Sequence, residues 1–143
     1  MIKIYIDAAT HPIYEKSGGG MVIINDSKQT PIPIPLAAKD NHSAEFETLC
    51  FALKYCVDHY LKEHLIIIYS DSRLVVDAME KSFVKKEIFK EYLVTALGYH
   101  EQLPPVFIEW LPDQKNKGAD NIARTVLFNK LQESKNKGEK GLY

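Results

Sequence analysis

The stretch LIIIYSDS, Leu65–Ser72, decides the fold. From Leu65 to Tyr69 every position is apolar, so neither face is left for water, and the run ends abruptly at Asp71. A strand with one wet face alternates apolar and polar residues. A strand apolar on both faces belongs at the centre of a sheet covered on each side, the usual setting of parallel strands.

Working outward, the preceding segment repeats at three and four: Phe46, Leu49, Cys50, Leu53, Val57, Tyr60 and Leu61. That spacing predicts a helix of about five turns, with Ser43 as its N-cap. Further upstream, IKIYID places Ile2, Ile4 and Ile6 on one face and Lys3, Tyr5 and Asp7 on the other, which is a strand. Gly18–Gly20 close a polar loop before a second strand, MVIIN, and a turn at DSKQT leads to PIPIPL. Pro31, Pro33 and Pro35 would turn their missing N–H donors to one side while Ile32 and Ile34 pair on the other, so this third strand belongs at a sheet edge. Downstream lie a short helix near Arg73–Glu80, a charged helix near Lys86–Leu97, the strand VFIEWL, and a last helix carrying Ala119, Ile122, Ala123, Val126, Leu127 and Leu131. Three meandering strands followed by alternating strands and helices predict one α/β domain over residues 1–134, a mixed sheet flanked by helices. Residues 135–143 are expected to form a flexible tail.

The composition limits what such a domain does. At 143 residues and 45% apolar, the chain is long enough for one core without disulfides or structural metal. Net charge is −1 and the sequence pI about 6.5, so any polyanion must be bound by a local site. Cys50 and Cys56 share one predicted helix, roughly 9 Å apart along its axis and about 120° around it, too far to bridge. This suits a reducing compartment, and with no leader-like start and no apolar run near ~20 residues the expectation is a soluble cytoplasmic protein.

Four carboxylates fall where such a sheet exposes chemistry. Asp7 lies late on the first strand, Glu45 in the first turn of the long helix, Asp71 just past the buried strand, and Asp120 at the opening of the last helix. Taken singly, Glu45 and Asp120 are ordinary acids near helix N-termini, favoured by the dipole, and Asp71 reads equally as a helix cap. Asp7 is harder to place without a function, because a carboxylate on a central strand must be solvated, paired or liganded. If the four converge, their repulsion calls for hard cations, and oxygen-only ligation suits Mg²⁺ or Mn²⁺; the five histidines show no ligand spacing for zinc. Two such ions about 4 Å apart clamp a phosphodiester, which points to its hydrolysis.

IYIDAAT with GGGMVI, NHSAEFETL, IIIYSDSRLVV, and IEWL with NKGADNIAR together resemble the ribonuclease H family, type 1 branch, over nearly the whole chain. The resemblance implies a ribonuclease H-like fold: a five-stranded mixed sheet, a three-strand antiparallel meander plus two parallel strands, flanked by helices. It also implies a two-ion endonuclease that cuts the RNA strand of RNA/DNA hybrids, leaving 5′-phosphate and 3′-hydroxyl ends. Asp7 would bridge both ions, Asp120 would help hold the one carrying the attacking water, and Glu45 and Asp71 would hold the other. Ala8, Asn41, His42, Ser72 and Asn116 would lie against the substrate, Asn41 contacting the hybrid and Glu45 touching a ribose 2′-hydroxyl of the RNA strand, with Asn116 also capping the last helix.

The chain departs from the family in four places. Ala8 stands where glycine is common, and His42 where a second asparagine is common. The lysine- and tryptophan-rich grip on the DNA strand is reduced to Lys81, Lys85, Lys86 and Lys90, equally readable as a solvated face. Only DQKNKGA separates Pro112 from Asp120, with no histidine, so the proton transfer ascribed to the family's loop histidine is missing. Two alternatives stay open: a superfamily nuclease with another nucleic-acid substrate, and a nucleic-acid-binding module with weak or no catalysis. No obligate protein partner and no membrane are implied, and a monomer is expected.

Overall fold

The computed structural model describes residues 1–141, with side chains as far as residue 136. Strands β1 (Ile2–His11), β2 (Lys16–Asn25) and β3 (Lys28–Pro35) form the antiparallel meander. Helix α1 (Asn41–His59) crosses to β4 (Ile66–Ser70), and α2 (Arg73–Lys81) and α3 (Lys90–Gln102) lead to β5 (Val106–Trp110). Helix α4 (Lys117–Gly141) ends the described chain, and single 3₁₀ turns lie at Glu87–Phe89 and Asp113–Lys115. The strand order is β3-β2-β1-β4-β5, with β4 parallel to both β1 and β5. This is the mixed sheet expected, with the proline-rich β3 at its edge and Pro31, Pro33 and Pro35 exposed opposite Val22, Gly20 and Gly18.

One sheet face is fully covered. Ile2, Ile4 and Ile6 of β1 and Ile66 and Ile68 of β4 are buried against Phe46, Leu49 and Leu53 of α1, with Val75 of α2 and Leu93 of α3 completing the cluster. The other face is covered by α4, which lies across β2 and β1 and reaches β3. It leaves β4 half open: Ile67 and Tyr69 are only partly buried, and Tyr69 stacks on Tyr5 with ring centroids 4.8 Å apart. Within Leu65–Ser72, Ile66–Ser70 is thus a central strand with one dry face and one half-dry face, which corrects the expectation of cover on both sides.

Several local details also differ from the sequence reading. Gly18–Gly20 are not loop but lie within β2, in register with Ala9, Ala8 and Asp7. The reason is the long-range approach of α4: a Cβ at Gly20 would stand 2.4 Å from the Ala119 carbonyl oxygen, and one at Gly18 would stand 2.6 Å from the Leu127 nitrogen. The N-cap of α1 is Asp40, not Ser43, because the Asp40 carboxylate accepts the Ser43 N–H at 3.0 Å and the helix starts three residues earlier. Asp40→Ala should therefore cost about 1 kcal/mol in urea unfolding, whereas Ser43→Ala should lack that capping loss. The charged helix begins as a 3₁₀ turn and runs on to Gln102, where His100 Nε2 lies 3.0 Å from the Val106 carbonyl. The segment expected as a flexible tail, residues 135–143, is helical as far as Gly141, and its last two residues lie outside those described.

Candidate active site

The register of the sheet brings the first two acids together. Ile6 pairs with Ser70 at the end of the parallel β1–β4 ladder, so Asp7, still within β1, and Asp71, just past β4, are the next residues on the two neighbouring strands. That is where open parallel sheets expose their sites. Glu45, in the second turn of α1 and not the first, joins them: Asp7, Glu45 and Asp71 line one narrow cleft with Ile6, Ala8, Thr48 and Ser70. Asp120 enters from the first turn of α4 on the opposite sheet face.

The electrostatics show how tightly these groups are held. Burial pushes the Asp7 carboxyl up to about 8, with the negative charges of Asp71 and Asp120 adding to the rise and the Ala8 N–H opposing it. Asp71 is likewise raised, by burial first and then by Glu45, Asp113 and Asp120, against a lowering hydrogen bond from Asn116. Close like charges in a partly buried site disfavour ionisation, as these shifts record. Asp71 and Asp120 thus act on Asp7, and Glu45 and Asp120 act on Asp71.

Each also has protein partners. Glu45 accepts from the Ser72 hydroxyl at 2.6 Å and from Asn41 Nδ2 at 3.0 Å, and His42 Nδ1 lies 3.3 Å away. Asp120 is gripped by Arg124 Nε at 3.0 Å, one turn along α4. With Glu45 and Asp120 so turned, no three acidic, imidazole or thiol groups among the described residues stand in metal-ligating geometry. The donor set is nonetheless all oxygen and shares unrelieved negative charge, which fits a hard divalent cation once the carboxylates swing off their protein partners.

The remaining candidates separate into exposed and buried groups. Asn41 and His42 are exposed at the start of α1, and the His42 ring meets Phe89 edge-on. Ala8 is half-buried beside Asp7. Ser72 is buried and has a second duty as N-cap of α2, accepting from the Val75 N–H at 3.3 Å, so Asp71 is not the cap. Asn116 is 1% exposed; its Nδ2 donates to the Ile6 carbonyl at 2.7 Å, and its Oδ1, the atom a side-chain cap would use, accepts no hydrogen bond. Lys81, Lys85, Lys86 and Lys90 are exposed around the α2–α3 connection, Lys90 being paired to Glu87 at 2.7 Å. Between Pro112 and Asp120 the chain is one 3₁₀ turn followed directly by α4.

Two residues were missed by the sequence reading. Trp110 Nε1 donates to the Asp71 carbonyl at 3.2 Å, and the Arg73 guanidinium lies 3.8 Å over the Trp110 ring. Their only sequence signal was an aromatic residue at the end of β5 level with Ser70, and nothing in the spacing singles that out.

The sequence matches the family described as "Reverse transcriptase-like" over residues 6–126. It is 38% identical over 127 residues to the Enterococcus faecalis protein named "Putative hydrolase EbsB", covering 89% of this chain and 94% of that one. Among solved structures it is similar to an LC11-RNase H1 in complex with an RNA/DNA hybrid, with a TM-score of 0.75 at 23% identity, covering 92% of this chain and 99% of that one. RNase H1 from Halobacterium salinarum superposes with a TM-score of 0.74 at 21% identity, covering 90% and 98%. The chain therefore belongs to the reverse transcriptase-like family and carries the ribonuclease H fold.

Proposed function

We propose that this protein is a metal-dependent endoribonuclease that hydrolyses the RNA strand of RNA/DNA hybrids to 5′-phosphate and 3′-hydroxyl ends. One observation carries the reading: Asp7, Glu45 and Asp71 line a single cleft where the parallel β1–β4 ladder ends, with Asp120 close enough to raise both aspartates. An acid cluster that strains its own ionisation has no structural use, and beside a phosphodiester it only repels unless cations intervene. Mg²⁺ or Mn²⁺, two ions per site held by Asp7, Glu45, Asp71 and Asp120, would supply an activated water and stabilise the leaving 3′-oxygen.

The chain's own residues contribute orientation. Ser72 and Asn41 hold the Glu45 carboxylate from two sides until a cation draws it off them. Asn41 and His42 present exposed hydrogen-bonding groups next to Glu45, where 2′-hydroxyls of an A-form-like duplex can be read. Arg124 holds Asp120 and must yield it to a bound cation. The absence of a histidine before Asp120 leaves proton transfer to solvent, a contribution typically worth ~10² to 10⁴ in rate, so turnover is slow.

The test is incubation of the purified chain with Mg²⁺ or Mn²⁺ and labelled RNA/DNA hybrid, double-stranded RNA, double-stranded DNA and single strands, with Asp71→Asn as control. Cutting of the hybrid alone, lost in Asp71→Asn, is expected. Hybrid bound but never cut would replace the reading with a binding module, and cutting of the other substrates with a nuclease of different specificity.

A further inference from the structure

We propose that Asn116 is a positioning residue that sets the carboxylates for cation binding, and that it does not touch the substrate. This rests on the two-ion reading above.

Three bonds meet at Asn116. Its Nδ2 donates to the carbonyl of Ile6, the residue before Asp7, at 2.7 Å across 110 positions of sequence. Its backbone carbonyl accepts the Asp120 N–H at 3.0 Å. Its own N–H donates to the Asp113 carbonyl at 2.9 Å, closing the 3₁₀ turn that carries the chain from β5 to α4. Ile6 in turn pairs with Ser70, the residue before Asp71. Asn116 thus ties β1, where its ladder with β4 ends, to the start of α4, bracing the segments that carry Asp7 and Asp120, with Asp71 one residue past the paired Ser70.

Burial decides between positioning and substrate contact. Asn116 is 1% exposed, so a nucleic acid on the surface does not reach it. Its Oδ1 is buried without a protein donor, which lowers stability, so packing alone does not account for an asparagine here. What the residue supplies is a donor aimed at the strand that carries Asp7. Groups that orient metal ligands from behind typically change metal affinity by about 10- to 100-fold when removed.

The test compares wild type with Asn116→Ala and with Asn116→Asp, which keeps the volume but loses the amide donors. Mn²⁺ binding by titration calorimetry, melting in EDTA, and kcat and KM on RNA/DNA hybrid are measured on the full chain. The expected result is Mn²⁺ affinity weakened about 10- to 100-fold, kcat falling with it, and KM for the hybrid within about threefold, in a variant that still melts cooperatively in EDTA. Unchanged Mn²⁺ affinity overturns the proposal, whatever the melting temperature. A raised KM with unchanged kcat overturns it in favour of substrate contact, and variants unfolded at 25 °C overturn it in favour of a purely structural role. If the wild type binds Mn²⁺ yet cuts no hybrid, the functional reading fails while the affinity comparison still decides the role of Asn116.

Discussion

Asp7→Asn is expected to abolish metal-dependent cleavage and, in the same protein, to raise the melting temperature measured in EDTA at pH 8. The activity loss follows from position, since Asp7 is central among the four acids and interacts with both Asp71 and Asp120. Metal-borne stabilisation is worth several kcal/mol, and at about 1.4 kcal/mol per decade its loss lowers kcat by ~10³-fold or more. The stability gain follows from linkage. The folded carboxyl titrates at about 8 and the ordinary value is 3.8, so between those values the folded state holds a proton that the unfolded state has released. Stability contributed at this site is therefore greatest at acid pH and is lost as pH rises from about 4 through about 8. Asparagine has no charge to bury, so the variant gains little at pH 4 and most at pH 8, roughly 5 °C by differential scanning calorimetry. A variant that melts lower than wild type at pH 8 would sink the idea that Asp7 is held under electrostatic strain.

The same contrast explains how much of this molecule was legible in its sequence. Local alternation is enough to place a strand at IKIYID, and an apolar run is enough to centre LIIIY, so the meander, its proline-rich edge strand and the elements that carry the four candidate acids were legible in the sequence. Three things were not, and each depends on atoms remote in sequence. Gly18–Gly20 read as a loop because a glycine run carries no periodicity, yet these residues are strand because α4, a hundred positions later, packs backbone to backbone on them. Asn116 read as a cap because asparagine before a helix usually is one, yet its Oδ1 accepts no N–H of the helix and its amide N–H reaches a carbonyl 110 positions upstream. The partial exposure of Ile67 and Tyr69 depends on where α4 lies, and no pattern within β4 records that.

Gly20→Ala is the substitution expected to damage this protein most without touching a carboxylate. Gly20 sits opposite Asp7 in the β1–β2 ladder, directly under the first turns of α4. An added Cβ would meet the Ala119 carbonyl oxygen at 2.4 Å, the Ala123 nitrogen at 2.8 Å and the Ile122 Cβ at 2.8 Å. Two of these are backbone atoms of a helix, so no rotamer relieves the clash and α4 must lift by roughly 1 Å to reach ordinary contact near 3.5 Å. Overpacking of this kind costs typically 1–3 kcal/mol, and here the helix that moves also carries Asp120 and its neighbour Arg124. A displacement of about 1 Å in a reacting group is worth ~10² in rate, so kcat on hybrid should fall about a hundredfold beyond any loss of folded protein. Gly118→Ala supplies the control: its Cβ would find only Val22 Cγ2 at an unstrained 3.5 Å. In an exposed first turn that change should be neutral or stabilising by up to about 1 kcal/mol, with activity retained. Equal melting temperatures and equal kcat for the two variants would show that α4 is not seated on the β2 glycines, and with that the placement of Asp120 beside Asp7 would lose its physical basis.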